Sequence, residues 1–505
     1  MPQETDGKNP KHGWILALCI ALVLLCGAAA AAVIWMGSRN PQLPDATDPT
    51  IQSTTHTTTP TVPATEPTTV PTEPPVEKIS SATIASMGDI LMHGPVRDTY
   101  ITQYIPGTVT GADFNYAPIF ENIQSIISRA DYAVINLETP LAGLDNGYPY
   151  SGVIGSFNAP DLILDYAKAA GFDMMLTANN HTYDCGSFGM HRTMEVILQR
   201  ELAYLGTQQR EDEPDFKVVS VNGIAIGMAC YTYEVPNGKD AARKSLNGKW
   251  VTAADNNLVS SFDAYWLDLF YTQVAADIAG MRENGAEAIV LYVHWGEEYK
   301  LVQSADQQNM AQKLCDLGAD VIIGGHPHVV QPVELLTSTV DPEHKTVCLY
   351  SMGNAVSAQR RHKMNLKTGH TEDGVIFQIT FSKYSDGTVI LETADILPTW
   401  VNDQYQILST TVLHTPEPEE PDPTQPESTQ PSTQPESTQP STSPTETAPT
   451  EPTAPSQPVP DEATRNQLKA SYERTMAVVG DGLAMVQEYL RNNTAEVEAQ
   501  LGVKN

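Results

Sequence analysis

Between residues 80 and 410 the chain alternates short apolar runs with amphipathic stretches, and this alternation limits the possible folds more than any other feature. The runs have the length and β-branched content of buried strands, and the stretches between them repeat apolar residues at helical spacing. Alternating strands and helices indicate a layered α/β domain with much parallel pairing. The strand candidates are SATIASMG (81–88), YAVINLE (132–138), FDMMLTAN (172–179), GIAIGMACY (223–231), AEAIVLYVHW (286–295), DVIIGG (320–325) and TVCLYSMG (346–353), followed by the antiparallel candidates GVIFQITFS (374–382) and TVILETADIL (388–397).

A run of uncharged residues near the N-terminus, WILALCIALVLLCGAAAAAVIWM (14–36), predicts a single transmembrane helix. As a helix it would span about 34 Å, enough to cross a bilayer. Lysines precede the run, so residues 1–13 are expected in the cytoplasm and the main domain outside the cell membrane of a bacterium. A cleaved signal peptide would have a shorter apolar core. A lipoprotein site at Cys26 fits less well, because Leu25 stands where a small residue is usual.

Two segments rich in Thr, Ser and Pro, residues 37–79 and 413–460, cannot bury a core and are predicted to be disordered spacers. Between them, residues 80–412 form the predicted globular domain. The last segment, 461–505, has an amphipathic helical pattern that Gly480 and Gly482 are expected to break or bend. It is expected to dock on the main domain or on a partner.

Composition restricts the partners and the redox chemistry. The formal charge is −32, from 61 acidic and 29 basic residues, which argues against binding to nucleic acid. Four cysteines lie in the predicted domain without the spacing of a disulfide framework or a zinc ribbon. We expect these cysteines to be buried small side chains and not bridges: Cys185, Cys230, Cys315 and Cys348.

Side chains that can bind metal or transfer protons are concentrated where five of the apolar runs end. In open α/β sheets, ligands bind outside the carboxyl ends of the strands, so side chains at these ends can meet. Two histidines spaced two apart on extended backbone would also point the same way. Mixed carboxylate, amide and imidazole groups suit a pair of divalent ions such as Mn, Fe or Zn. The residues are Asp89 with His93, Glu138, Asn180 with His181 and Asp184, His294, and His326 with His328.

The same residues carry a resemblance to a known family. In this order, MGDILMHG, NLETPLAG, TANNHTYDCG, VHWGEEY, GADVIIGGHPHVVQPVE and YSMGNAVS resemble the CapA-like family of capsule (poly-γ-glutamate) synthesis proteins, which is similar in fold to calcineurin-like metallophosphatases. The resemblance covers residues 81 to 400. It implies a four-layer α/β/β/α metallophosphatase-like sandwich with a two-metal site.

The resemblance also implies a role for individual residues. Asp89 and His328 would hold one ion, Asn180, His294 and His326 the other, and Glu138 would bridge the two. Asn354, Asn136 and His93 are expected to line the site. The sequence departs from the wider phosphatase pattern at the first strand, where Asp-x-His is usual and the nearest histidine here is His93. That spacing weakens the case for His93 as a ligand.

A mechanism follows as a hypothesis. Two ions about 3.5 to 4 Å apart would activate a water molecule and clamp the attacking and leaving oxygens. His181 would not bind metal but would act as the general acid for the leaving oxygen, with its ring oriented by Asp184.

Two functions remain open from the sequence. The ligand set favours a metal-dependent hydrolase acting outside the cytoplasm on a phosphoester or an envelope polymer. The family resemblance favours a tethered factor that binds or exports an anionic capsule or cell-wall polymer beside capsule synthase subunits. In so acidic a domain, polyanion binding would need the metal ions or a basic patch such as Arg360-Arg361-His362-Lys363, which alternatively is a solvated loop. A degenerate spacer domain is disfavoured, because every proposed ligand is present.

Overall fold

The computed structural model describes residues 75–103, 113–144, 146–414 and 460–503. The predicted cytoplasmic N-terminus, the anchor 14–36, nearly all of the spacer 37–79 and all but the ends of the spacer 413–460 lie outside the described residues. Among the helices of the described ranges, none is both long and apolar enough to cross a membrane.

Strands and helices follow each other in the alternating order that the sequence predicts. The strands are β1 Lys78–Ile90, β2 Tyr132–Leu137, β3 Met174–Leu176, β4 Ala203–Leu205, β5 Phe216–Val221, β6 Ile224–Tyr233, β7 Ser245–Leu246, β8 Lys249–Trp250, β9 Ser261–Phe262, β10 Ala288–His294, β11 Val321–Gly325, β12 Val333–Thr337, β13 Lys345–Leu349, β14 Asn354–Val356, β15 Asp373–Tyr384, β16 Val389–Val401 and β17 Ile407–Ser409. The α-helices are α1 Gly94–Thr99, α2 Ala117–Phe120, α3 Gln124–Ile127, α4 Leu162–Ala170, α5 Gly186–Gln199, α6 Leu267–Glu283, α7 Ala305–Asp316, α8 Arg361–Met364 and α9 Glu462–Leu501; His370–Glu372 and Thr410–His414 are 3₁₀ turns.

The strands form two large sheets. The first has the order β17-β16-β15-β1-β2-β3-β4, with β14 also paired to β1, and the second has the order β12-β13-β11-β10-β6-β5, with β9 paired to β6. Strands β1 to β4 are parallel, as are β6, β10, β11 and β13. The predicted mixed α/β class with much parallel pairing is therefore confirmed.

The buried side chains divide into three clusters that define the layers. One cluster joins a face of the first sheet to helices α2 to α5. A second lies between side chains of both sheets, and a third joins the second sheet to α6 and α7. Each central strand is thus covered on both faces, which explains why its sequence is a continuous apolar run.

The first boundary of the domain differs slightly from the prediction. Lys78 and Ile79, assigned to the spacer, already belong to β1. Lys78 pairs with Tyr384 of β15, and the Lys78 ammonium lies 2.6 Å from Glu392 Oε2. Antiparallel pairing with β15 extends β1 beyond its predicted start, and local composition does not reveal this pairing.

Two glycines are required by close backbone approach. A Cβ at Gly88 would lie 1.8 Å from the carbonyl oxygen of Gly353, so the glycine lets β1 pass beside β14. A Cβ at Gly324 would lie 1.9 Å from the carbonyl oxygen of Tyr350. These contacts explain why apolar runs end in glycine just before the polar motifs.

The C-terminal segment forms a continuous helix that docks on the domain. Helix α9 runs through Gly480 and Gly482 without the predicted break. Val479, Leu483 and Val486 belong to the cluster between the sheets, and α9 contacts β16 of one sheet and β12 of the other. Of the two expected docking partners, the structure shows the main domain.

Gly482 and Gly480 should respond oppositely to substitution by alanine. A Cβ at Gly482 would lie 2.0 Å from the carbonyl oxygen of Val333, whereas the nearest atom to one at Gly480 is Met476 Cε at 3.7 Å. We expect Gly482→Ala to lower the free energy of unfolding by about 1–3 kcal/mol through overpacking. Gly480→Ala, the matched control, should raise it by about 0.5–1 kcal/mol. Urea denaturation measures both, and equal effects of the two substitutions would contradict the docked position of α9.

The predicted state of the cysteines is confirmed. Cys185, Cys230, Cys315 and Cys348 are all free and buried. Burial raises the pKa of Cys185 and of Cys230 to about 12, so neither is a thiolate at neutral pH.

Candidate metal centre

The polar residues from the strand ends of both sheets meet at one place. Asp89 lies in β1 and Glu138 directly follows β2, both in the first sheet. His294 ends β10, and His326 directly follows β11, both in the second sheet. The carboxyl ends of parallel strands in the two sheets therefore supply opposite sides of one buried site.

One group of ligand atoms comprises Glu138, His294 and His326, whose atoms all lie within 4.8 Å of one another. His294 Nε2 is 2.9 Å from Asn180 Oδ1 and 3.3 Å from Glu138 Oε1. A neutral imidazole has one N–H proton, so His294 can donate a hydrogen bond to only one of these two oxygens. This convergence of a nitrogen and several oxygens is suited to a shared cation.

A second group comprises Asp89, Glu138 and His328, also within 4.8 Å of one another. His328 Nδ1 lies 3.1 Å from Asp89 Oδ2. Burial by itself raises the pKa of Asp89, but the hydrogen bond and charge of His328 outweigh burial and lower it below the ordinary value. Asp89 is thus held as a carboxylate.

Glu138 belongs to both groups and is the most unusual side chain of the site. It is fully buried, and within the described part of the chain neither of its carboxylate oxygens has a hydrogen-bond partner. Burial and the nearby Asp89 carboxylate raise the pKa of Glu138 well above its usual range. Burying an ionised carboxylate without a partner costs on the order of several kcal/mol of folding free energy. A bound cation would offset this cost.

Burial also keeps the imidazoles of His294 and His326 neutral, as metal ligands must be. It lowers the pKa of His294 to about 3 and that of His326 well below its usual range. His326 Nδ1 is buried and has no hydrogen-bond partner in the described ranges. The unpartnered atoms of Glu138 and His326 are therefore donors of the type that Mn, Fe or Zn takes in proteins, and the residues fit a pair of such ions.

Asparagines support the Asp89 end of the site. Strand register sets Asp89 between Asn136 and Asn354 on its two neighbouring strands. Asn136 Nδ2 donates to Asp89 Oδ1 at 2.7 Å, and Asn179 Nδ2 donates in turn to Asn136 Oδ1 at 3.1 Å. Asn354 Oδ1 lies 3.1 Å from His328 Nδ1. Asn136 and Asn354 thus orient the residues that face the site.

His181 lies beside the site but outside both ligand groups. Its Nδ1 is 2.9 Å from Asp184 Oδ2, an oxygen that also accepts from the backbone N–H of Phe157 at 2.9 Å. The arrangement holds the ring in one orientation and leaves Nε2 for another partner. This is the geometry that the sequence hypothesis requires of an acid and its orienting carboxylate.

His93 is close to these residues without joining either ligand group. Its Nδ1 accepts a hydrogen bond from the backbone N–H of Ala358 at 3.3 Å, and the ring of Phe157 packs edge-on against both His93 and His181. Burial lowers the pKa of His93 to about 4. Because Nδ1 is occupied by a backbone donor, His93 is better placed to line the site than to ligate.

The premise of extended backbone through His326 and His328 is wrong. Strand β11 ends at Gly325, and the two histidines have φ angles of 94° and 57°. Such values are uncommon for residues with a Cβ and often mark functional sites. The rings of the two histidines do converge, with centroids 5.7 Å apart. The cause is the bend of the backbone in the loop after β11 and not an extended strand.

Two residues near the site escaped the sequence reasoning. The Tyr233 ring lies 4.7 Å from that of His326 and stacks parallel to that of His294 at 6.3 Å. Asn247, in the β7–β8 turn, places Nδ2 3.3 Å from His181 Nδ1. Tyr233 closes β6, so the rule applied to the other strand ends would have found it; Asn247 has no such signal.

Known proteins resemble this chain in sequence over the same region. A sequence model of the family described as "Bacterial capsule synthesis protein PGA_cap" matches residues 83–359. The capsule biosynthesis protein CapA of Bacillus anthracis is 25% identical over 318 residues, which cover 63% of this chain and 66% of that protein. The PGA biosynthesis protein CapA of Bacillus subtilis (strain 168) is 26% identical over 312 residues, covering 61% and 72%.

The chain thus spans just under two thirds of the length of the Bacillus anthracis relative. Among solved structures, the NAD nucleotidase of Haemophilus influenzae is similar with a TM-score of 0.35 and 10% sequence identity, covering 65% of this chain and 53% of that one.

Proposed function

We propose a function for this chain from one premise: it belongs to the family of bacterial capsule synthesis proteins described as PGA_cap. Within that family, the proposed activity is hydrolysis with two divalent metal ions, directed at a phosphoester or at a bond of an envelope or capsule polymer. Glu138 carries the proposal, because both of its buried oxygens lack hydrogen bonds to the residues that the structure describes and because it belongs to both ligand groups.

In this proposal the residues divide between two ions. Asp89 and His328 would hold one, Asn180, His294 and His326 would hold the other, and Glu138 would be shared by both. The identity of the ions, among Mn, Fe and Zn, is left to measurement. When bound, they would activate water and neutralise charge on the reacting group.

The proton of the leaving oxygen would come from the chain itself. Asp184 accepts from Nδ1 of His181, which fixes the orientation of the ring. Nε2 is then the atom that donates to the leaving oxygen. Asn136, through Asp89, and Asn354, through His328, keep two ligands in register.

We also propose a more specific fold than the general α/β class. Two facing sheets with helices packed on their outer faces support a four-layer α/β/β/α sandwich of the metallophosphatase-like kind. The proposed location is the outer face of a bacterial cell membrane, tethered by residues 14–36, and it rests on the apolar run alone.

The second candidate is a non-catalytic factor for capsule assembly, anchoring or export. The names of the two Bacillus relatives favour it. In that role the metal site would bind an anionic polymer without turning it over, and capsule synthase subunits would be its partners.

Elemental analysis combined with a phosphodiesterase screen under Mn²⁺ tests the proposal. The protein used must retain residues 462–501, because α9 supplies part of the core. Two ions per chain with turnover support the hydrolase. Two ions without turnover of any phosphoester or polymer substrate favour the assembly factor, and no bound metal contradicts both roles of the site.

A further inference from the structure

A cavity of about 530 Å³, called the acidic cavity below, lies between α6, β9 and the loop before β5. Cavities of this size are typical of small-ligand sites. Its lining residues are distinct from those of the candidate metal centre. The carboxylate residues that line it are Glu211, Glu213, Asp215, Glu234, Asp263 and Asp277, and the cationic residue among its described lining residues is Lys244.

Nearby cations offset only part of this negative charge. Arg210, outside the cavity, lies 3.4 Å from Glu213 Oε1. Lys244 Nζ donates to the carbonyl oxygen of Val259 at 2.8 Å, and its charge favours the ionised forms of Asp215 and Glu234. Burial outweighs that effect and raises the pKa of both carboxyl groups. The cavity therefore keeps more carboxylates than the cations of the described chain compensate.

Glu234 is the carboxylate whose geometry points to a ligand. It directly follows β6, and only 6% of its surface is exposed. Oε1 accepts from Ser261 Oγ at 2.9 Å, whereas Oε2 has no hydrogen-bond partner among the described residues. A charged oxygen that lines a cavity and is poorly reached by water would be stabilised by a cationic donor.

Asp277 supplies a second buried carboxylate, on the α6 wall. Its Oδ2 accepts from the Tyr231 hydroxyl at 2.7 Å and its Oδ1 from Gln273 Nε2 at 2.9 Å. Burial raises the pKa of Asp277 to about 6. Both donors are neutral, so they satisfy its hydrogen bonds without balancing its charge.

The rest of the wall is aromatic and aliphatic. Tyr231, Phe262, Trp266 and Phe270 line the cavity together with Leu269. The Trp266 indole N–H donates to the carbonyl oxygen of Asn237 at 3.1 Å, which fixes the ring. Trp266 and Leu269 also remain exposed to solvent. Such surfaces attract an alkylammonium group by cation–π interaction and cover its methylene groups.

The spacing of the carboxylates favours an extended organic cation over a metal ion. Within the described ranges, no three of them offer ligand atoms within 4.8 Å of one another, as the residues of the metal centre do. Ca²⁺ gathers about six to eight oxygens around one point. Carboxylates that lie further apart can instead each accept from a different ammonium group of one ligand.

We propose that the acidic cavity binds an aliphatic polyamine, a small cation whose ammonium groups are separated by short methylene chains. One ammonium group donates to Glu234 Oε2, and the methylene groups lie against Trp266 and Phe270. This binding is independent of the proposed hydrolysis, since it uses none of the residues of the metal centre.

Calorimetric titration of the full chain with spermidine tests the site, in about 0.15 M NaCl to screen general attraction to an acidic protein. We expect Glu234→Gln to weaken spermidine binding about tenfold. Trp266→Leu, which keeps an apolar side chain but removes the aromatic face, should weaken it about two- to fivefold. Propylamine, with a single ammonium group, should bind more weakly than spermidine.

The matched control is Glu121→Gln, which removes an exposed carboxylate directly after α2 and should leave binding unchanged. Thermal unfolding of each variant checks that it is folded. The proposal is overturned if spermidine does not bind, or if Glu234→Gln binds it as tightly as the unchanged chain does. Glu234-dependent binding of Mg²⁺ that is tighter than that of spermidine would also overturn it, in favour of a metal site. Metal content and turnover do not enter the assay, so a failure of the hydrolase proposal would appear separately.

Discussion

Replacing Glu138 with glutamine is expected to remove metal binding and, with it, turnover. Glu138 is the one residue common to the two ligand groups, so the substitution takes a ligand from each. Loss of a residue that only supports a ligand already costs about 10- to 100-fold in metal affinity or activity, and loss of a shared ligand should exceed that. The measurement is metal content per chain together with turnover under Mn²⁺.

Stability distinguishes this outcome from simple misfolding. Free metal at about 100 times its dissociation constant should raise the free energy of unfolding of the unchanged chain by about 2.7 kcal/mol. Glu138→Gln should lose this gain, yet be at least as stable as the unchanged chain without metal, because it no longer buries an unpaired carboxylate.

The matched control is Glu297→Gln, which alters an exposed carboxylate of the loop after β10. It should keep both the metal and the gain in stability. Two ions retained by Glu138→Gln would remove the bridging role from this residue.

Replacing His181 with alanine is expected to leave the metal content intact while lowering turnover by about 10²-fold or more. The reason is that His181 contacts Asp184 and lies outside both ligand groups, so in the proposed mechanism it would donate a proton and not bind metal. The loss should shrink for a substrate with a nitrophenolate leaving group, which departs without a proton. Parallel assays on activated and unactivated esters measure that difference.

His191→Ala provides the matched control, since His191, on α5, bonds Asp255 and is absent from both ligand groups. Its turnover should equal that of the unchanged chain. If His181→Ala lost metal, or lost the same factor on both kinds of ester, the acid assignment would fail while the metal site would stand.

The fold was predictable wherever a strand is buried on both faces, because such a strand has a continuous apolar sequence. The runs that became β1, β2, β6, β10 and β11 are continuous and apolar because helices or the other sheet cover each side. Short edge elements were not predictable. Strands β4 and β12 are held mainly by their neighbours, and a few residues carry too little periodicity to show them.

The site was predictable in its membership but not in its geometry. The strand-end rule selected Asp89, Glu138, His294 and the His326–His328 pair, and these meet. It misjudged how the two histidines converge, because both have positive φ angles in the loop after β11, which a backbone hydrogen bond of 2.8 Å from Tyr299 to Pro327 joins to the loop after β10. Tyr233, which closes β6, was overlooked although the same rule selects it, whereas the proximity of Asn247 to the site depends on the packing of separate elements.

The sequence by itself determined the layered α/β class, the family and the set of polar residues at the strand ends, because each of these is encoded by local pattern. Tertiary structure alone decided that Glu138 is left without a hydrogen bond to the described residues, that α9 closes the space between the sheets, and that Asp215, Glu234 and Asp277 line one cavity. Those features depend on contacts between residues far apart in the chain. Such contacts produce no local periodic pattern from which they could be predicted.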